Sequence, residues 1–152
     1  MLFSEEPIPA NADPSEWEYL AKATSIPLAA GENLYGVEEF LRMADSGVRF
    51  LQPDVAKWGG VSGAMNLSKV LPDGISLWPH FMGTAVGQSA ALGISGVINT
   101  ESICEMDVND NLLRTDLCGD IHAIKNGRVK LPDKPGLVTP PLNDRLMNYL
   151  ES

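Results

Sequence analysis

The chain is poor in basic residues and in long apolar runs, and each shortage argues against a class of function. It has 11 lysines and arginines against 20 acidic residues, which gives a formal net charge of −9 over 152 residues. Because proteins that bind nucleic acids present a basic face to the phosphates, we expect no nucleic-acid partner. No apolar run approaches the length of a membrane span, so we expect no membrane partner and a cytoplasmic location.

Cysteine is also scarce. Cys104 and Cys118 are too few for a disulfide framework, and their spacing is not that of a metal site, so we expect reduced thiols.

Apolar residues make up 44% of the chain, which is enough for one globular domain. The acidic excess is typical of a solvated surface, and the alternative is that a few carboxylates hold a cation.

Helical spacing of apolar residues alternates with short, continuous apolar runs. Asp13-Pro14 begins a predicted helix that ends near Thr24, because a proline at position 27 cannot lie far inside it. This alternation predicts a parallel sheet covered by helices. The remaining predicted elements are strand 26–31, a helix over 37–44 ended by Gly47, strand 48–52, a helix from 59 to 70, strand 75–78, helix 84–95 and strand 102–105.

The last part of the chain has a different pattern. Asn126-Gly127 lies between two short β-like runs, which predicts a hairpin with a type I′ turn. Residues 132–136 are rich in turn-forming residues, and 143–152 could form a short capped helix. We therefore expect a hairpin, a linker and a helix after the alternating region.

A further apolar run, MLFS at 1–4, begins the series of predicted strands, and each strand ends in a side chain that could take part in catalysis or is followed by one. Successive groups lie 22 to 27 residues apart, close to the roughly 30 residues of one βα unit in a (β/α)₈ barrel. The spacing therefore predicts that they share the carboxyl-end edge of a parallel sheet, which is the catalytic face of a barrel. The groups are Glu5 or Glu6, Glu32, Asp54, His80 and Glu105.

The residue types in this series suit one kind of chemistry. Converging carboxylates suit Mg²⁺, which prefers oxygen ligands. Asp54, one strand before His80, suits a dyad in which the carboxylate orients the imidazole. Glu105 could serve as a neutral acid that donates a hydrogen bond to a developing enolate. Taken singly, a Glu after a strand is usually a solvent-facing loop residue, and a lone His is usually structural. The hypothesis of a catalytic site therefore rests on the regular spacing that the five groups share.

Six short motifs resemble the enolase superfamily, specifically the mandelate racemase subgroup of the mandelate racemase/muconate lactonizing enzyme family. Their order and spacing are more specific than any one of them, and the resemblance runs from about residue 2 to residue 137. The motifs are EEP at 5–7, GEN at 31–33, PDVAKWGG at 53–60, PHF at 79–81, CEMDVNDNLLR at 104–114 and VKLPDKPGL at 129–137.

The resemblance implies an α/β fold, the C-terminal part of a TIM-like (β/α)8 barrel of the modified (β/α)7β type. Residues 1–118 would form the C-terminal half of that barrel, and residues 119–152 a C-terminal return segment. The N-terminal capping domain and the first barrel strands would lie outside this sequence. We therefore expect a partner, either a second copy in a homo-oligomer or the N-terminal half of the barrel.

The resemblance also implies a role for each matching residue. Glu5 and Glu32 would be ligands of a Mg²⁺ cofactor, with Glu6 beside the metal site but not bound to it. The catalytic residues would be His80 as general base or acid, Asp54 as its dyad partner, Glu105 as a carboxylic acid facing the substrate, and Lys57 in a D-x-x-K-x-G-G pattern as a contact to the dyad region.

The implied reaction begins with removal of the proton α to the carboxylate of a small substrate. The resulting enediolate would lead to racemisation of a 2-hydroxy acid or to dehydration of a sugar acid. The alternative is a catalytically inactive half-barrel that acts as a structural or oligomerising unit. A third possibility is an unrelated barrel or doubly wound protein.

Overall fold

Strands and helices alternate through the first two thirds of the chain, as the periodicity predicts. The computed structural model describes residues 1–98, 103–118 and 123–137. Four strands form one parallel sheet in chain order, and a helix follows each strand, which confirms the α/β fold class. These elements are β1 (Ser4–Glu5), α1 (Pro14–Ala23), β2 (Leu28–Ala30), α2 (Val37–Asp45), β3 (Phe50–Leu51), α3 (Gly60–Ser68), β4 (Ser76–Leu77) and α4 (Ala85–Ile98).

The first helix begins where its capping residues predict. The Ser15 backbone N–H donates to Asp13 Oδ1 over 2.9 Å, and the Asp13 N–H donates to Glu16 Oε2 over 3.1 Å. These reciprocal bonds satisfy amide groups that the first turn of a helix otherwise leaves without partners. The helix ends at Ala23, and its C-cap residue Thr24 has an extended backbone, three residues before Pro27.

The register of the sheet brings the strand ends to one edge. Glu5 pairs with Ala29, which in turn pairs with Phe50. Beyond β3 and β4 the parallel pairing continues through a bridge between Asp54 and His80. The residues that follow the strands therefore meet at the same edge, as predicted from their spacing.

The hydrophobic core lies between this sheet and its helices. Side chains of every helix in the alternating region contribute to it, and the largest of them are at most 2% exposed. Burying each such side chain contributes roughly 1.5–3 kcal/mol of transfer free energy. Representative members are Trp17, Phe40, Leu51, Leu67 and Ile94.

The opposite face of the sheet carries a cluster of three aromatic rings. Phe50 and Trp78 stack with centroids 3.6 Å apart and planes 9° from parallel. Phe3 meets both edge-on, at 6.2 and 5.3 Å. The three rings are half-buried, and they form a floor beneath the side chains that follow on the same strands.

Helix α4 confirms the helix predicted over 84–95 and runs three residues further. It is built from small and apolar residues, and Ala85, Ala91 and Ile94 are among those it buries. Its 14 residues are fewer than the ~20 that a bilayer requires. In the part of the chain that the structure describes, no helix is long and apolar enough to cross a membrane.

The strand predicted over 102–105 is wrong for its described part. Residues 103–105 belong to no strand, since no described strand pairs with them, and the Glu105 carbonyl instead accepts a hydrogen bond of 3.0 Å from Gln88 Nε2 on α4. A further helix, α5 (Leu112–Cys118), was not predicted. The sequence feature that could have predicted this helix is the capping residue Asn111, whose side chain accepts a hydrogen bond of 3.0 Å from the Leu113 N–H.

The predicted hairpin is confirmed. Strands β5 (Ile124–Lys125) and β6 (Arg128–Val129) pair antiparallel. Asn126 and Gly127 join them with φ values of 53° and 71°, the positive pair that a type I′ turn requires. The helix predicted over 143–152 lies outside the described residues.

Gly47, which follows α2, should not tolerate a side chain. Its φ is +95°, and an added Cβ would lie 2.6 Å from Ala21 Cβ on α1. We predict that Gly47→Ala destabilises the chain by roughly 1–3 kcal/mol through backbone strain, with the clash adding to this. The change in urea unfolding free energy measures it.

The matched control is Gly93→Ala in α4, where an added Cβ meets nothing within 4 Å. Alanine there should stabilise the chain by roughly 0.5–1 kcal/mol, because it favours the helix. Equal stability of the two variants would contradict this account of the contact between α1 and α2.

Candidate active site

Asp54 and His80 lie next to each other because their strands pair in register. Asp54 Oδ2 is 3.1 Å from His80 Nδ1, and each residue is 4% exposed. The other carboxylate oxygen, Oδ1, accepts hydrogen bonds from the backbone N–H groups of Ala56 at 2.8 Å and Lys57 at 3.2 Å. The loop after β3 therefore holds the carboxylate with Oδ2 facing the imidazole, which orients the ring.

The other nitrogen of His80 faces two further carboxylates. Nε2 is 3.1 Å from Glu32 Oε2 and 3.4 Å from Glu105 Oε2. Glu32 follows β2, and Glu105 lies in the extended segment after α4. One imidazole thus has Asp54 on its Nδ1 side and the two Glu carboxylates on its Nε2 side, which is the arrangement of a group that passes a proton.

Glu105 lies in an environment that favours its neutral form. Burial raises the pKa of its carboxyl, His80 opposes the rise, and repulsion from Glu5 and Glu32 adds to it. Its Oε2 atom is buried and makes no hydrogen bond. The bond from Gln88 to the Glu105 backbone fixes the segment that presents this carboxyl. A protonated carboxyl here could donate a hydrogen bond to a substrate oxygen.

The two acidic residues at the end of β1 have different partners. Glu5 Oε1 accepts a hydrogen bond of 2.8 Å from Gln52 Nε2. Glu6 Oε1 accepts one of 3.3 Å from the Gly31 N–H. Burial is the main cause that raises the pKa of Glu6, the Gly31 bond lowers it, and the charges of Glu32 and Glu5 raise it again.

Lys57 brings a positive charge to this acidic group. Its Nζ donates to Asn33 Oδ1 at 3.0 Å and to the Glu32 carbonyl oxygen at 3.3 Å. The same atom lies 3.7 Å from Glu32 Oε1 and 3.8 Å from Asp54 Oδ2. Lys57 therefore ties the loop after β2 to the dyad, as a positioning residue would.

The donor set fits a hard cation in its chemistry. Carboxylates from three segments lie close enough for repulsion between them to raise the pKa of Glu6 and Glu105. Carboxylate oxygens are the ligands that Mg²⁺ prefers. Within residues 1–98, 103–118 and 123–137, however, no three His, Cys, Asp or Glu side chains are arranged to hold a metal ion. Glu5 and Glu32 would need further oxygen ligands from elsewhere.

Sequence reasoning missed two glutamines in this site. Gln52 binds the side chain of Glu5, and Gln88 binds the backbone of Glu105. They are 6% and 0% exposed. An amide that interrupts a buried strand or helix is the signal that could have identified both, because buried polar groups need partners.

A cleft of about 1020 Å³ lies between α1, α2 and the loops after β1 and β2. It borders the acidic cluster through Glu6 and Asn33, while its far wall includes Trp17 and Arg42. The dyad and Glu105 are outside its lining. The candidate chemistry therefore belongs to the edge of the sheet, not to this cleft.

Comparison with known proteins places the chain in a family. A family model described as "Enolase C-terminal domain-like" matches residues 1–142. An arabinonate dehydratase of Saccharolobus solfataricus is 34% identical over 122 residues, covering 78% of this chain and 32% of the relative. A D-galactonate dehydratase of Variovorax paradoxus is 32% identical over 144 residues, covering 90% and 37%.

Solved structures agree with the sequence matches. A mandelate racemase/muconate lactonizing enzyme from Bordetella bronchiseptica superimposes with a TM-score of 0.87 at 33% identity, over 97% of this chain and 42% of that one. A 3,6-anhydro-D-galactonate cycloisomerase from Zobellia galactanivorans gives 0.83 at 30% identity, over 98% and 42%. The chain thus spans about a third to two fifths of the length of these relatives.

The Cys104 thiol should be unreactive near neutral pH. Burial raises its pKa to about 11, and the charge of Glu105 adds to the rise, against hydrogen bonds from Ser95 and Gln88. Because the thiolate is the nucleophile, a rise from 9.0 to about 11 leaves on the order of 100-fold less of it at pH 8. We predict that iodoacetamide modifies Cys104 at least that much more slowly in the folded chain than in urea.

Cys118→Ser isolates the reaction at Cys104, and mass spectrometry follows it. The rate should climb as pH rises toward 11. Equal rates in the folded and unfolded chains at pH 8 would show that Cys104 is not buried against Gln88.

Proposed function

This chain belongs to the enolase C-terminal domain-like family of mandelate racemase/muconate lactonizing enzymes, and on that premise we propose that it abstracts the proton α to the carboxylate of a sugar acid. The enediolate so formed then loses its β-hydroxyl as water. One observation carries the proposal: a buried imidazole has Asp54 on one nitrogen and directs the other at Glu32 and Glu105.

His80 is the proposed acid and base. In this proposal Nδ1 carries its proton toward Asp54, so that Nε2 can take the α-proton from the substrate. The protonated ring can then return that proton to the departing β-hydroxyl, which leaves as water. The enol product tautomerises to a 2-keto-3-deoxy acid, so the protons balance without any further reactant.

Glu105 is the proposed hydrogen-bond donor to the substrate. Its raised pKa favours the neutral carboxyl, which can donate to the oxygen on which negative charge develops. Its Oε2 lies 3.4 Å from His80 Nε2, so the proposed donor and the proposed base are neighbours at the same edge of the sheet. Asp54 and Lys57 act through their neighbours, by orienting the ring and by holding the Glu32 loop.

Glu5 and Glu32 are the proposed protein ligands of Mg²⁺. A bound Mg²⁺ would polarise the substrate carboxylate and lower the energy of the enediolate. Two carboxylates from the described residues are fewer than such a site needs, so we propose that a partner completes it. That partner is a second copy of this chain or the N-terminal half of the barrel.

Dehydration is favoured over racemisation by the similar proteins, two of which are named as sugar-acid dehydratases. The rival proposal is an inactive half-barrel that serves as a structural or oligomerising unit. It is favoured by one observation, the lack of a three-residue metal cluster among the described residues. The two proposals differ in whether this chain exchanges the α-proton of a sugar acid.

The test is deuterium exchange at C2 of D-galactonate and D-arabinonate in D₂O with Mg²⁺, followed by proton NMR. The proposal predicts exchange, together with formation of a 2-keto-3-deoxy acid. His80→Asn should slow exchange by roughly 10²–10⁴-fold, because the variant lacks the base. Glu32→Gln should lose activity at low Mg²⁺, since it lacks a charged ligand.

Glu18→Gln is the matched control for the loss of a carboxylate. Glu18 lies on the exposed surface of α1 and pairs with Lys22 at 3.3 Å, far from the dyad in the fold. Its activity should equal that of the wild type. Exchange that is undiminished in His80→Asn would contradict the proposal. Exchange that is absent from the wild type at every Mg²⁺ concentration would contradict a site completed by a second copy of this chain and favour the inactive half-barrel.

A further inference from the structure

Phe3, Phe50 and Trp78 lie on one face of the sheet. On that face, the next side chains toward the carboxyl ends of the strands are polar. Side chains two apart on a strand share a face, so Glu5 lies above Phe3 and Gln52 lies above Phe50. Since Phe3 and Phe50 contact each other, the two polar side chains above them also come within reach. The observed distance from Gln52 Nε2 to Glu5 Oε1 is 2.8 Å.

This contact spans a strand. β1 and β3 are both neighbours of β2, not of each other, so the Gln52 amide must pass across β2. Ala29 of β2 pairs in register with Glu5 and with Phe50, so it lies on their face of the sheet, and its small side chain leaves room for the contact. Contacts between side chains of alternate strands are typical of the interior layers of a barrel.

The backbone around Gln52 is rigid enough to aim its side chain. Its N–H donates to the Ala30 carbonyl over 2.9 Å. Gln52 is 6% exposed, and Pro53 follows it, so the backbone has little freedom to turn. The amide group is therefore presented in one position, with Glu5 as its acceptor.

A neutral donor has a specific advantage at this position. Lysine or arginine would also orient Glu5, but its charge would oppose a cation bound to that carboxylate. An amide holds one carboxylate oxygen and leaves the negative charge available at the other. Glu32, by contrast, already has Lys57 and His80 within 4 Å.

We propose that Gln52 is the positioning residue that orients the Glu5 carboxylate for a divalent cation. The inference rests on the proposed function, since it assigns Glu5 to the metal. It adds a residue outside the predicted site residues and outside the D-x-x-K-x-G-G pattern. Residues that orient metal ligands typically change metal affinity by 10- to 100-fold when they are removed.

The first experiment examines the hydrogen bond in the metal-free chain. In a ¹⁵N-labelled sample, the side-chain amide of Gln52 gives a pair of proton resonances. The pair is assigned by its absence from the spectrum of the Gln52→Met variant. Glu5→Ala removes the acceptor, so we expect one proton of the pair to move upfield and to exchange faster with water. An unchanged pair of resonances would overturn the inference.

The second experiment is calorimetric titration with Mg²⁺ alone. Gln52→Met keeps the length of the side chain and removes the donor, and it should weaken binding by roughly 10–100-fold. Ser46→Ala is the control, because it deletes a buried hydrogen bond to the Arg42 carbonyl at the far end of α2. It should lower the melting temperature by a similar amount and leave Mg²⁺ affinity unchanged.

The two experiments separate the inference from the proposed function. If the wild type binds Mg²⁺ and Gln52→Met binds it equally tightly, Gln52 does not position Glu5 for the metal, while the proposed function stands. If the wild type does not bind Mg²⁺ but the amide pair responds to Glu5→Ala, the proposed metal site fails in this chain, and the orienting contact stands.

Discussion

The parallel pairing at the ends of β3 and β4 is the interaction on which the rest of the site depends. The bridge between Asp54 and His80 continues the ladder past the regular strands, so two side chains 26 positions apart in sequence become neighbours. Without that register the imidazole would have no fixed acceptor at Nδ1. Glu32 and Glu105 take their positions relative to the same ring, at 3.1 and 3.4 Å.

The sheet has two functional layers on one face. The half-buried rings of Phe3, Phe50 and Trp78 pack together, while the next residues along the same strands are polar. Burial is the main cause that raises the pKa of Glu105, and repulsion from Glu5 and Glu32 adds to the rise. Concentrating negative charge in this way costs stability, and a cation or a protonated carboxyl relieves it.

Local signals explain why much of the fold could be predicted. Asp13 and Glu16, three residues apart, together cap α1. The hairpin turn depends only on the positive φ values of Asn126 and Gly127 themselves. The strand-end series could be predicted because the spacing of βα units is regular.

Contacts between distant residues explain what could not be predicted. The Glu105 carbonyl accepts a hydrogen bond from the side chain of Gln88, 17 positions earlier, and no periodicity encodes that contact. Gln52 and Glu5 are 47 positions apart, so their pairing follows from the order of three strands. The β-like run over 103–105 was wrongly predicted as strand because tertiary contacts override weak local preference.

The most direct measurement of the central claim is the nitrogen-15 spectrum of His80 in a chain carrying His122→Gln, which leaves one histidine. The account predicts that the neutral ring carries its proton on Nδ1, hydrogen-bonded to Asp54, and that Asp54→Ala shifts the population toward the Nε2–H tautomer. A ring that already favours Nε2–H in the wild type, with no response to Asp54→Ala, would contradict the claim that the ends of β3 and β4 place Asp54 as the acceptor at His80 Nδ1.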